Sequence, residues 1–338
     1  MTVTRHDHVY ALDAFPFQDG TILPDAKLAY SVYGTLNRER NNVILAPTWF
    51  ASTPESFEWL IGPGRPLDTD LYYVVAPSMF GNGLSSSPSN TSAPFDRARF
   101  PHHSIADNIR AQHQLLTELG VTGIELVFGG SMGAMQAYEW AVRHPDLVRR
   151  VFAACGNSKT TDHCALFLSG AEAALVADQS FDGGDYSKPP AAGLRAVARV
   201  WSPWSPSSRF FWDREFEKLG FATAEEFVQG FWEPWYGALD ANDFLNQLWT
   251  WQHADISNNE KYQGDLARAL GDIRALTYVV PAERDPYFPV EDAAWEASNI
   301  PKAELHVIPG TWGHFSLFGS QPSSAEYIGE SIRSLLAS

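Results

Sequence analysis

Ile124-Glu125-Leu126-Val127-Phe128-Gly129-Gly130-Ser131-Met132-Gly133-Ala134-Met135-Gln136-Ala137-Tyr138-Glu139-Trp140 decides how the rest of the chain is read. Ile124 to Phe128 is a short β-branched and aromatic run of the kind that forms a buried strand, and Met132 to Arg143 carries a helical pattern that His144-Pro145 stops. Between them lies Gly129-Gly130-Ser131-Met132-Gly133, a G-x-S-x-G match. That motif is weak alone and specific in this setting, because a serine on a sharp strand-to-helix turn needs small neighbours and is lifted to the open edge of a sheet. The first amides of the following helix favour negative charge there. Ser131 is therefore the expected nucleophile.

Further strand-like runs occur at Val43 to Ala46, Tyr72 to Ala76, Val148 to Ala153, Leu276 to Val280 and Leu305 to Ile308, and a helix pattern (Ile105, Ile109, Leu116, Leu119) ends at Gly120. Strand and helix in alternation predict an α/β fold whose mostly parallel sheet has helices on both faces. From about Thr160 to Gly264 the alternation stops. This stretch holds Pro189-Pro190, Trp201-Ser202-Pro203-Trp204-Ser205-Pro206 and seven of the twelve tryptophans. It reads as a Trp-rich helical lid (160–264) inserted between two parts of the core (1–159 and 265–338), walling an apolar pocket at the sheet's carboxyl edge.

A serine hydroxyl needs a base, and in a serine-elbow enzyme of this kind an acid and then a histidine follow the nucleophile in the chain. Asp285, in Glu283-Arg284-Asp285-Pro286-Tyr287-Phe288-Pro289, lies just past the strand at Leu276. Its competitors are Glu283, nearer the strand end, and Asp272, which precedes the strand and faces the wrong edge. His314, in Gly310-Thr311-Trp312-Gly313-His314-Phe315, follows the last strand and is the expected base. The amide of Met132 is one expected oxyanion donor. The second lies in Pro47-Thr48-Trp49-Phe50; Pro47 has no N–H, so Trp49 is preferred over Thr48.

The formal net charge is −16 with no basic stripe, which argues against nucleic acid and anionic membranes as partners. No apolar run is long enough to span a bilayer, Met1 to Tyr10 lacks an export signal, and the two cysteines, Cys155 and Cys164, read as reduced thiols. These point to the cytoplasm. No histidine cluster has metal-ligand spacing, so neither a metal nor another cofactor is expected.

Tyr33-Gly34-Thr35-Leu36-Asn37, Asp107-Asn108-Ile109-Arg110-Ala111-Gln112, the elbow segment through Trp140, Asp240-Ala241-Asn242 and Asp285 to Pro289 together resemble the homoserine O-acetyltransferase family of α/β-hydrolase enzymes. The resemblance implies the α/β-hydrolase fold, a triad of Ser131, Asp285 and His314, oxyanion donors at Met132 and Trp49, and a homodimer built through the lid. Two departures bear on substrate. The family's acetyltransferases carry a histidine-led loop where this chain has Ala46 to Phe50, and an aspartate that helps hold the substrate's ammonium group where this chain has Phe315. Without that carboxylate a buried cation has no counter-charge. Arg209 is the remaining candidate for a basic lid residue. A pocket lined by Phe50, Trp204, Arg209 and Phe315 suits a small acyl ester better than a zwitterion, so the expectation is an acetate-type ester hydrolase. The alternatives are an acetyl-CoA-dependent O-acyltransferase and a non-catalytic binding protein of the same fold.

Overall fold

Eight strands form one sheet in the order β1-β2-β4-β3-β5-β6-β7-β8 in a computed structural model that describes residues 3–338. They are β1 His6–Pro16, β2 Ile22–Tyr33, β3 Val43–Leu45, β4 Tyr73–Pro77, β5 Ile124–Gly130, β6 Arg150–Ala154, β7 Leu276–Val280 and β8 Ala303–Leu305. From β4 to β8 all pairings are parallel, whereas β1 and β2 pair antiparallel with each other and β2 with β4. Every run expected as a strand is one, with ends shifted by a few residues. The last begins at Ala303, and its ladder continues past β8 through the His306 amide to Val279 O (2.9 Å) and the Ile308 amide to Pro281 O (2.8 Å).

The β1–β2 hairpin is the missed element, and part of it lies in the Met1 to Tyr10 stretch, of which Met1 and Thr2 fall outside the described residues. Its strands sit at the sheet margin and are exposed at most positions of β1, so they carry no continuous apolar run to read. Central strands β3 to β6 are buried along almost their whole length.

Helices α1 (Ile105–Glu118) and α2 (Met132–Arg143) flank β5 in sequence. Ser104 caps α1 in a capping box with Asp107, and Gly120 takes a positive φ of 70° just after it. Between β6 and β7 the chain runs through helices including α3 (Asp162–Val176), α4 (Ala191–Trp201) and Ala241–Gln252. No helix among the described residues is long and apolar enough to cross a membrane.

Several residues of the resembling segments turn out to hold the architecture. Asp240 caps the helix Ala241–Gln252 through the amides of Asn242 and Asp243. Asn108 Oδ1 accepts the Phe80 amide (2.9 Å), and Asn108 Nδ2 donates to His103 Nδ1 (3.0 Å). His103 is fully buried and also meets Thr250 Oγ1 (3.1 Å), which ties the entry of α1 to the inserted helices.

Burial holds the His103 pKa down to about 3, against 6.5 for a free imidazole. The folded state thus keeps His103 neutral while the unfolded chain protonates, so this contribution to stability is present above pH 6.5 and is lost as pH falls towards 3. Asp243 and Glu296, both pushed up to about 7 by burial, titrate in the opposite direction and cancel from a comparison with a His103→Gln variant. Denaturant unfolding between pH 6.5 and 4.5 should show the wild type losing up to about 1.4 kcal/mol more per pH unit than that variant; equal slopes exclude this assignment.

Candidate active site

Ser131, Asp285 and His314 come from the loops that follow β5, β7 and β8. Parallel strands leave the sheet at one edge, so Asp285 and His314, 154 and 183 positions after Ser131 in sequence, are delivered to the same edge by topology alone. His314 Nδ1 lies 2.7 Å from Asp285 Oδ2, with both residues buried. The carboxylate can only accept, so Nδ1 carries the hydrogen and Nε2 is left as the acceptor. Asp285 Oδ1 in turn accepts the amides of Tyr287 (2.9 Å) and Phe288 (3.3 Å), which orient the acid. The competitors are elsewhere: Glu283 is exposed and accepts the Gly310 amide, and Asp272 pairs with Lys261.

Ser131 sits at the start of α2 with φ 53° and ψ −125°, a strained conformation for a residue with a side chain. Its surroundings explain the glycines. A Cβ on Gly129 would run into the backbone of Gly133, one on Gly156 into the Ser131 carbonyl, and one on Gly133 would come within 3.0 Å of Pro47 O. The Ser131 amide donates to Ala154 O at 2.9 Å, anchoring the turn on β6.

The next residue on β6's exit, Cys155, places its Sγ within 4.8 Å of the ligating atoms of Asp285 and His314. Burial, reinforced by the Asp285 carboxylate, pushes this thiol well above its ordinary pKa, so it stays protonated and is a poor nucleophile. Both cysteines are free and buried.

A buried amide chain fixes the loop after β3. Trp140 Nε1 donates to Gln112 Oε1 (2.8 Å), Gln112 Nε2 to Gln136 Oε1 (2.7 Å) and Gln136 Nε2 to Thr48 O (2.8 Å). The loop amides are not all available for substrate: Thr48 donates to Pro77 O (3.0 Å) and Trp49 to Ser52 Oγ (2.8 Å). The expectation that Trp49 presents a free donor is thus corrected. Among the described residues the Phe50 amide makes no hydrogen bond.

Ser131 and His314 line a cavity of about 470 Å³ between the sheet edge and the inserted helices. Phe50 and Phe315 are in its wall as expected, and no Asp, Glu, Lys or Arg is. Trp204 and Arg209 do not line it. Trp204 stacks behind the wall on Phe167 and Tyr287, and Arg209 turns outward to Asp213 (2.7 Å). Of the seven tryptophans of 160–264 expected collectively to wall a pocket, Trp201, Trp232, Trp235 and Trp251 line it, and the wall residues that sequence reasoning left unassigned include Tyr287 and Trp312. Two carried a signal: Tyr287 lies two residues from Asp285, and Trp312 two from His314.

A strained serine turn, a carboxylate-oriented imidazole and a shared apolar cavity at the carboxyl edge of a parallel sheet define a class of acyl-transferring and ester-cleaving enzymes. Residues 41–320 match the profile of the alpha/beta hydrolase fold. The chain belongs to the α/β-hydrolase family and is an enzyme of it, on the esterase side of the group that includes the homoserine O-acetyltransferases. It is 39% identical over 327 residues to the ethyl acetate hydrolase of Pseudomonas veronii, covering 96% of this chain and 93% of that protein. It is 28% identical over 315 residues to the homoserine O-acetyltransferase of Trichormus variabilis, covering 89% and 86%. The crystal structure of the acetyl esterase MekB superposes with a TM-score of 0.96 at 38% identity, covering 98% and 97%.

Gln136→Leu breaks the amide chain and leaves Gln112 Nε2 and the Thr48 carbonyl without these partners. A loss of about 1–3 kcal/mol in denaturant stability is expected, with esterase kcat falling as the loop loosens; unchanged stability and kcat together contradict the role given to Gln136.

Proposed function

We propose that this protein hydrolyses acetate-type carboxylic esters through an acyl-enzyme on Ser131. The observation that carries this is the Asp285–His314 pair beside a strained serine in a cavity with no Asp, Glu, Lys or Arg in its wall.

Ser131 Oγ attacks the ester carbonyl carbon while His314 Nε2 takes its proton, and the tetrahedral oxyanion forms. The Met132 amide, first in α2 and without an intrahelical acceptor, is one donor to that oxyanion. Phe50's unpartnered amide is the second, in place of the Trp49 amide that Ser52 occupies. The bond from carbonyl carbon to alkoxy oxygen then breaks as His314 protonates the leaving alcohol. Water attacks the acyl-enzyme, giving its proton to His314, and collapse of the second intermediate returns a proton to Ser131 and releases the carboxylic acid. Asp285 stabilises the imidazolium in both halves.

The stretch 160–264 serves as the lid. Its contribution of Trp201, Phe231, Trp232 and Trp251 to the wall, with Phe315 packed on Trp232 (5.3 Å between ring centroids), favours a neutral substrate over an amino-acid acceptor such as homoserine. The same proposal makes it a cytoplasmic homodimer, joined through lid residues that leave Leu166, Val176 and Trp212 exposed on one chain.

Ser131→Ala should lower hydrolysis of ethyl acetate and p-nitrophenyl acetate by at least ~10³-fold. Acetylated Ser131 should be visible by mass spectrometry of the wild type quenched during turnover. Hydrolysis that needs homoserine or acetyl-CoA would move the assignment to the acyltransferase reading; a Ser131→Ala protein as active as the wild type would remove the mechanism.

A further inference from the structure

The geometry points to an acetate ester of a long or bulky apolar alcohol as the substrate, its alcohol portion filling the aromatic chamber and leaving between Phe231 and Trp235. This inference rests on the acetate-type reading of Ser131 and extends it to the other half of the ester.

The first reason is size. An acetyl group is two carbons and an oxygen, whereas the chamber holds about 470 Å³. Cavities of ~300–1,000 Å³ are the range that encloses a drug-sized ligand. With acetyl bonded to Ser131, most of that space falls to the group on the other side of the ester oxygen.

The second reason is the chemistry of the wall and how it grades outward. Around the reacting serine the lining is buried, with Trp201, Trp232, Trp251, Tyr287 and Phe315 each at 5% exposure or less. Phe231 and Trp235, which line the same chamber, are 39% and 37% exposed. They therefore mark an apolar side of the chamber's mouth, whose lining also includes the exposed Ser320. Large aromatics left half in water at a cavity mouth gain apolar contact only when something apolar lies against them. A short alcohol such as ethanol fills only a small part of the chamber's 470 Å³, whereas a long or bulky apolar group can occupy it and lie against these rings.

The third reason is local. Phe231 and Trp232 are consecutive, yet one is at the mouth and the other in the inner wall. They belong to a π-helical turn, Val228–Trp232, set between the helices Ala224–Phe227 and Glu233–Gly237. The widened turn directs two adjacent side chains to one cavity, and such insertions recur at functional sites.

Two substrate series separate the possibilities. In the first, acetyl is held constant and the alcohol lengthens from ethyl through butyl and hexyl to octyl; in the second, ethyl is held constant and the acyl group lengthens from acetyl to octanoyl. The inference expects kcat/KM to rise along the first series, by at most roughly fourfold per methylene, the factor that corresponds to about 0.8 kcal/mol of buried CH₂. It expects kcat/KM to fall along the second. Trp235→Asp and Phe231→Asp, which charge the rim, should each lower the ratio of octyl to ethyl acetate turnover at least tenfold. Should either variant misfold, competition supplies the check on the wild type: primary alcohols from ethanol to octanol should inhibit ethyl acetate hydrolysis with steadily falling inhibition constants.

A flat or falling alcohol series with Ser131-dependent hydrolysis of ethyl acetate intact overturns this inference and leaves the proposed function standing. A rising acyl series overturns it too, by giving the chamber to the acyl chain. Failure to cleave any ester sinks the function and the inference with it.

Discussion

Ser131 occupies a backbone conformation that a residue with a side chain does not choose, and the rest of the site is arranged around keeping it there. Its strain, of order 1–3 kcal/mol, is held by close packing of β5 against α2 and of the β6 exit against both. Three glycines make that approach feasible: Gly129, Gly133 and Gly156 stand where a single methyl group would strike backbone. The same compression places the start of α2 under the hydroxyl, so the constraint that strains the serine also sets the Met132 amide beside it.

The imidazole reaches the serine's cavity by a separate route. His314 belongs to a loop after β8 that is pinned from the segment between β6 and β7, where its amide donates to Ser205 O (2.9 Å), and from the loop after β7 through Asp285. The inserted segment and the sheet loops thus meet at His314. The aromatic chamber above has no Asp, Glu, Lys or Arg in its wall, and its low polarity strengthens the few dipoles aimed at a developing oxyanion. Phe315 packs on Trp232 and Phe231 at the position where the resemblance to the acetyltransferases leads one to expect an aspartate.

Much of the core was legible because the central strands and the helices around β5 obey local rules. Buried parallel strands read as continuous apolar runs, and α2 ends where His144-Pro145 must end it. The β1–β2 hairpin was not legible, since half-exposed marginal strands dilute the signal with His6, Asp7, His8 and Lys27. Asp285 and His314 were singled out by their places after strands, and the structure pairs their side chains. Arg209 and Trp204 were misplaced because within an irregular helical insertion no period tells which side chain faces the core; Arg209 found a helix partner at Asp213 instead.

The sequence by itself determined the order of the parallel strands and of the helices around β5, the turn at Ser131 and the positions of Asp285 and His314 after β7 and β8, because each depends on short-range sterics or on which strand a loop follows. Only the tertiary structure decided which tryptophans wall the chamber, that Ser52 occupies the Trp49 amide while Phe50's stays free, and that a chain of glutamines from α1 and α2 holds the Thr48 carbonyl. Those are contacts between segments far apart in the chain, and their partners are set by how helices and loops pack against the sheet, which no local pattern records.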